Sequence, residues 1–376
     1  MNILALNSSS GLYGSSKVFL ETIKTFAQQG YTITVVVSEE GPLCDEIRKT
    51  NAEIYIIRLG VIRRKYFTPV GIINRLYYSF KAIKSLKKII KEKNIDVVYS
   101  NTTAVLTGAF AAKAMHTKHI WHVHEIIETP KILVRFIAWM LNNYCTKAIA
   151  VSQAVINHWQ KNNVPNKFVL VYNGFDYAAF NPSTSTLKKE LNIADDKIII
   201  GTIGRIANRK GQDYFLGIAG KLKEKKHSLA FIIVGDTYDN NEKLLTHLKE
   251  IVATKNIFND VYFTGLRNDI GNALQAFDIF VLPSIMPDSL PTVVLEAMAA
   301  SKVVVATKQG GALEMIKENE TGIFIPLNNV DEAANSMERL IHDKTLREQM
   351  GAAGKKRVNE HFSLQQFQEK IIKAIQ

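Results

Sequence analysis

Short apolar runs alternate with helix-period segments along the chain, and the alternation then starts a second time. Residues 3–7, 32–37, 54–59, 96–100, 120–122, 148–151 and 169–172 are short, mainly apolar runs that read as strands. Between the first two, Phe19, Leu20, Ile23, Phe26 and Ala27 recur on one face of a helix that stops at Gly30. After the polar stretch 181–185 the pattern resumes at 198–203, 230–234, 261–263, 279–282, 303–306 and 323–325. Strand and helix alternating in this way build parallel sheets covered by helices. The expectation is an α/β protein of two doubly wound, Rossmann-like domains meeting near residues 174–186. Residues 1–178, joined by the C-terminal helix 360–376, would form one and residues 179–359 the other. Ligands of such sheets bind at the carboxyl ends of the strands, so a cleft between the two is the expected site.

Charge divides the halves. Residues 1–178 hold 22 Lys and Arg against 11 Asp and Glu, whereas residues 179–376 hold 25 against 24. Segment 61–93 alone has ten basic residues, including Arg63, Arg64, Lys65, Lys81, Lys84 and Lys88, against the single acid Glu92. Such an excess points to an anionic partner, either nucleic acid or a membrane surface. No nucleic-acid motif supports the first, and the aromatics are not interleaved with the basic run as a stacking platform requires. From Ile73 the row Ile73, Leu76, Phe80, Ile83, Leu86, Ile90 follows helical spacing. It is expected to pack on the core, with Lys81, Lys84 and Lys88 on another, basic face that rests on anionic lipid. No run of about 18 uncharged apolar residues exists. Two cysteines, Cys44 and Cys145, make no zinc pattern, and a reducing compartment is the simpler setting. The expected location is the cytoplasm, peripherally on the inner face of the membrane.

Five segments carry chemistry. Residues 8–16, Ser-Ser-Ser-Gly-Leu-Tyr-Gly-Ser-Ser, link the first strand to the first helix; a residue such as Gly14 lets a ligand approach the backbone. His122 and His124 fall on one side of a strand end, where a histidine can orient a substrate or carry a proton, or serve only as a satisfied polar residue. Arg205 and Lys210 bracket a loop after the first strand of the second half, a planar fork and a point charge suited to a diphosphate. The most specific segment runs from Pro283 to Ala300. Asp288 lies in its Pro-rich loop with Ser289 and Leu290, and Glu296 lies one turn into the following helix among apolar neighbours, where a carboxylate needs a partner. Carboxylates so placed can accept hydrogen bonds from sugar diols. Last, Gly310-Gly311 forms another strand-to-helix turn with Glu314 just beyond, as a helix-dipole partner or a ligand contact.

These pieces in this order resemble the retaining GT-B glycosyltransferases of glycosyltransferase family 4. The resemblance covers nearly the whole chain and includes Asn173-Gly174-Phe175-Asp176, Gly204-Arg205 with Lys210-Gly211, Val234-Gly235-Asp236, and the acidic-x7-Glu run ending in Glu296-Ala297-Met298-Ala299. It implies a transferase moving a sugar from a nucleotide-sugar to a hydroxyl acceptor, a lipid-linked or polysaccharide-precursor glycan, with no metal or other cofactor. By resemblance, Glu296 holds the ribose hydroxyls and Arg205 and Lys210 neutralise the leaving diphosphate. Asp288, with the N–H groups around Ser289 and Leu290, grips the donor sugar. Gly14 lets the first loop approach the diphosphate and acceptor, His124, with His122 as the second choice, contacts the sugar near the reacting centre, and Glu314 is a further nucleotide or ribose contact. The family has Glu where this chain has Asp288, which shortens the arm by a methylene. A nucleotide-sugar epimerase, a phosphorylase and a non-catalytic sugar-nucleotide-binding protein share the architecture and stand as alternatives.

Overall fold

The computed structural model describes residues 1–63, 66–165, 167–180, 184–225, 227–237 and 242–376. By internal contact the chain forms two compact units, Met1–Phe175 with Leu364–Gln376, and Asp176–Ser363.

The first unit contains β1 (Asn2–Asn7), α1 (Ser15–Gln28), β2 (Thr32–Val37), α2 (Pro42–Arg48), β3 (Glu53–Ile56), α3 (Pro69–Glu92), β4 (Val97–Asn101), α4 (Thr107–Ala114), β5 (Lys118–Val123), α5 (Lys131–Tyr144), β6 (Lys147–Ala150), α6 (Gln153–Lys161) and β7 (Phe168–Leu170). Its strands form one parallel sheet in the order β3-β2-β1-β4-β5-β6-β7. The second unit contains α7 (Leu187–Glu190), β8 (Ile198–Ile203), α8 (Gln212–Glu224), β9 (Leu229–Val234), α9 (Glu242–Thr254), β10 (Val261–Gly265), α10 (Ile270–Ala276), β11 (Ile279–Leu282), α11 (Thr292–Ala299), β12 (Val303–Thr307), α12 (Ala312–Met315), β13 (Gly322–Ile325), α13 (Val330–His342) and α14 (Lys344–His361). Its parallel order is β10-β9-β8-β11-β12-β13. The last helix, α15 (Leu364–Ile375), returns to the first unit, where Phe367, Ile371, Ala374 and Ile375 join Phe19, Ile23 and Phe26 of α1 in one buried cluster.

Both sheets are thus doubly wound, as the uniform apolar runs require: β1, β4, β8, β9, β11 and β12 are buried along nearly their whole length. The short helix α2 was not expected. Its apolar residues Leu43, Cys44 and Ile47 cover too few turns to show a period, yet all three are buried.

Helix α3 corrects the sequence reading. Only Ala82, Leu86, Ile89 and Ile90 are buried, and Ile73, Leu76 and Phe80 stand open to solvent. The reason lies in the spacing. Each i+3 step retreats about 60° around a helix and each i+4 step advances about 40°. The row from Ile73 to Ile90 therefore drifts by about 100°. Its first half faces out and its second half faces the core.

Candidate active site

In each sheet the winding reverses direction beside one strand, between β1 and β4 and between β8 and β11. Loops leaving the carboxyl ends there part to opposite sides and leave a crevice for a ligand. In the second unit the loops after β8, β11 and β12 meet at that point and are locked together. The amide of Ile285 donates to the Arg209 carbonyl at 3.1 Å, and the amide of Gly311 to that of Asp288 at 2.8 Å. Thr307 Oγ1 and Gln309 Nε2 both donate to the carbonyl of Ser284, at 2.6 and 2.5 Å. Glycine is required where these loops touch. Gly211 has φ +70°, and a Cβ there would lie 2.0 Å from the Pro283 carbonyl oxygen; a Cβ on Gly311 would lie 2.0 Å from that of Ser289.

Asp288 is at the centre of this region and is buried. A carboxylate withdrawn from water needs compensating partners. Lys210 Nζ stands 2.9 Å from Oδ2, Ser284 Oγ donates to the same oxygen at 2.7 Å, and Arg209 Nη2 stands 3.1 Å from Oδ1. Arg209 also donates to the Pro287 carbonyl at 3.0 Å. Arg205, on the same loop as Lys210, is exposed, and its carbonyl accepts from Gln212 Nε2 at 3.0 Å. Ser289 is half-buried, Leu290 buried, and Glu296 buried in the second turn of α11. Glu314 lies in α12, its carbonyl taking a 2.8 Å hydrogen bond from Arg357. Cations, a carboxylate and closely approachable backbone at one switch point make an environment for a ligand that carries both negative charge and hydroxyls.

At the switch point of the first unit, Asn7 ends β1 and Asn101 ends β4, and both are fully buried. Asn101 Nδ2 donates to Asn7 Oδ1 at 2.7 Å and to the Ser15 carbonyl at 3.1 Å. A carbonyl only accepts, so the other end of the carboxamide, Oδ1, faces His124, whose Nε2 lies 2.8 Å away. His124 Nε2 therefore carries the proton and donates it. Desolvation pushes the His124 pKa down to about 3, so the ring is neutral and Nδ1 bears a lone pair. His122 packs against it with ring centroids 4.2 Å apart. Desolvation first, and then the repulsion that two protonated rings side by side would suffer, hold His122 far below the ordinary imidazole range. Its Nδ1 meets the Tyr99 hydroxyl at 2.5 Å, and its Nε2 is buried with no hydrogen-bond partner among the described residues. Glu125 is half-buried beside them, accepting from Thr103 Oγ1 at 3.0 Å and from the amides of Thr103 and His124, both at 3.1 Å. Gly14, with φ +50°, is exposed before α1, with open space where a Cβ would be.

The structure therefore gathers Lys210, Asp288, Ser289 and the Gly310-Gly311 turn in one unit, and His122, His124 and the β1 loop in the other. Sequence reasoning did not single out Arg209, Ser284 or Asn101. The first two lay inside segments already marked, and Asn101 is a lone polar residue closing an apolar run. Among the basic residues, Arg63 is tied to the Ser8 carbonyl at 3.2 Å, and Lys81, Lys84 and Lys88 are exposed on α3. Arg64 and Lys65 lie outside the described residues. No cluster of three or more His, Cys, Asp or Glu suited to a metal occurs among the described residues.

Residues 13–179 match the family model described as Glycosyltransferase Family 4, and residues 183–357 the model described as Glycosyl transferases group 1. The chain is 25% identical over 354 residues to an Escherichia coli UDP-Gal:alpha-D-GlcNAc-diphosphoundecaprenol alpha-1,3-galactosyltransferase, covering 89% of this chain and 86% of that one. It is 26% identical over 368 residues to the Staphylococcus aureus capsular polysaccharide biosynthesis glycosyltransferase CapM, covering 90% and 94%. Among solved structures, Anabaena Alr3699/HepE in complex with UDP and glucose superposes with a TM-score of 0.86 at 22% identity, over 100% of this chain and 99% of that one. The fold is GT-B.

Proposed function

The chain belongs to glycosyltransferase family 4, and we propose that it moves a sugar from a nucleotide-sugar to a hydroxyl of a lipid-linked or polysaccharide-precursor glycan, with retention at the anomeric carbon. The observation that carries this reading is the meeting of Lys210 and Asp288 where the loops after β8 and β11 interlock. The E. coli relative, by its name, uses a UDP-sugar and an undecaprenol-linked acceptor, which supports both classes of substrate.

As the bond between sugar and phosphate breaks, positive charge grows on the sugar ring and negative charge on the departing diphosphate. Fixed cations aimed at the growing charge lower that barrier without reorganising. Lys210 and Arg205 would perform this role, so that side chains rather than a divalent ion neutralise the diphosphate. Asp288 would hold Lys210 in place as well as reach the sugar. Its carboxylate is already shared between two cations and a hydroxyl, and a shorter arm than Glu suits that position. Glu296 would take the ribose hydroxyls, and Glu314 would make a further contact to the nucleotide. The acceptor would attack from the face the diphosphate leaves, with a phosphate oxygen taking its proton. Gly14 and His124 would border the reacting centre, the neutral His124 presenting Nδ1 as an acceptor for a sugar hydroxyl. The basic first unit would meet an anionic membrane at the cytoplasmic face, where a lipid-linked acceptor is presented.

A thermal-shift screen across nucleoside diphosphates and nucleotide-sugars tests the donor side, because a ligand of the folded state raises Tm by mass action. A rise with one nucleotide family, followed by release of that nucleoside diphosphate on adding acceptor lipid, unchanged by EDTA, is the expected result. No nucleotide effect at all overturns the reading.

A further inference from the structure

The outward face of α3 has two halves. At about 100° per residue, Ile73, Leu76, Tyr77 and Phe80 share one side of the helix with Lys84 and Lys88 further along. Phe80 is 75% exposed, Ile73 68% and Leu76 65%. Large apolar side chains this open, three in neighbouring turns, mark a surface that meets something other than water. On the basic half the only acid of the helix is Glu92, which stands 3.7 Å from Lys88 at the exposed surface, against Lys81, Lys84, Lys87, Lys88 and Lys91. Helix α4 packs against both α3 and α5, so all three lie in one layer. Helix α5 exposes Ile132, Phe136 and Trp139 at i, i+4 and i+7, beside Lys131 and Arg135, and carries no acid. Both α3 and α5 begin at the carboxyl edge of the sheet, the edge that holds His124 and the β1 loop, because each runs back from one parallel strand to the start of the next.

We propose that this face of the first unit docks on a bilayer bearing anionic headgroups, with Ile73, Leu76 and Phe80 of α3 and Trp139 of α5 entering the acyl boundary while Lys84 and Lys88 lie at the headgroups. The inference deepens, and rests on, the reading that a membrane presents the acceptor. A bilayer offers hydrocarbon beneath negative charge in one plane, which is the pairing this face lacks. A second copy of the chain could cover the apolar half but would bring no negative charge to the lysines of the basic half.

The test is flotation of the full chain with phosphatidylcholine vesicles, with vesicles containing phosphatidylglycerol, and with the latter carrying brominated acyl chains. Trp121 and Trp159 are fully buried, so quenching by bromine reports Trp139. Binding to the anionic vesicles with quenching is expected, as is at least a tenfold weaker partition (about 1.4 kcal/mol) for both L76S/F80S and K84S/K88S. These side chains are solvent-exposed, so the variants should melt as the wild type does. Equal binding of L76S/F80S and wild type, or absence of quenching, would reduce the contact to ionic adsorption and overturn the proposal. So would a concentration-dependent dimer, lost in L76S/F80S, that binds no vesicles. A chain that ignores vesicles but keeps its nucleotide-dependent rise in Tm loses this proposal alone. A chain that binds vesicles with no response to any nucleotide loses the transferase reading alone.

Discussion

Lys210 and Asp288, 78 residues apart, meet with Nζ 2.9 Å from Oδ2, each delivered by a loop from a different strand. The lysine side chain is about one quarter exposed and the carboxylate is largely enclosed, so the ammonium is the more open of the two to an incoming anion.

Replacing Lys210 by Ala should lower turnover by about 10²–10³-fold, the usual cost of removing one fixed charge partner in a transition state. Asp288→Asn should weaken binding of the nucleoside diphosphate as well, through a poorly held lysine. Because the two act as one unit, the K210A/D288N double variant should be little worse than K210A alone. Calorimetric titration with UDP and steady-state turnover measure both effects, and simple additivity would dissociate the pair.

Ala at Gly311 or Gly211 should damage the site through the backbone. The added Cβ meets a carbonyl oxygen at 2.0 Å in both cases, and Gly211 must also abandon φ +70°. A loss of roughly 1–3 kcal/mol in stability is expected. It should come with a loss of nucleotide response larger than the change in Tm explains. Urea unfolding and thermal shift with UDP separate the two. Normal nucleotide response in G311A would show that the loops move independently.

Asn101→Asp is nearly isosteric and should be worse than its size suggests. It replaces the donor that faces the Ser15 carbonyl and Asn7 Oδ1 with a second acceptor. An unmet buried group costs about 1–3 kcal/mol. Nitrogen NMR of the imidazoles offers a direct check: His124 should be protonated at Nε2 in the wild type, and Asp at 101 should disturb that assignment.

Acidification should weaken the fold well before ordinary carboxylates titrate. Burial pushes His119 down to about 4 and His124 to about 3, and lowers His122 as well. Unfolded, each titrates near 6.5. Below that pH the unfolded chain takes up protons that the native chain refuses, so stability is full above about 6.5 and falls as the pH drops toward 4. The slope approaches about 1.4 kcal/mol per pH unit for each ring. Asp269, lowered to about 2 mainly by its hydrogen bond from Arg267, adds its own loss only below the usual carboxylate range. Urea midpoints at pH 7.5 and 5 provide the comparison, and equal midpoints would contradict neutral buried histidines.

Much of the architecture was legible because strands buried on both faces must be apolar throughout. The runs 32–37, 198–203 and 279–282 coincide with β2, β8 and β11. Asp288 and Glu296 stood out because carboxylates in apolar surroundings demand a reason. What stayed hidden depends on topology. Asn7 and Asn101 become neighbours only because β4 pairs with β1 across β2 and β3 in sequence, and no local pattern reports that pairing. Helix α3 misled for the opposite reason. Its local pattern was strong, but a row of i+3 steps winds away from the face it started on, and only the packing shows where it leaves the core.

The return of α15 has a consequence for how the protein is made. The cluster around α1 is completed by Phe367, Ile371, Ala374 and Ile375, more than three hundred residues after Phe19. A ribosome therefore releases the whole second unit before it supplies the helix that closes the first. During synthesis the face of α1 that α15 covers waits uncovered, and the second unit can finish folding ahead of the one that precedes it.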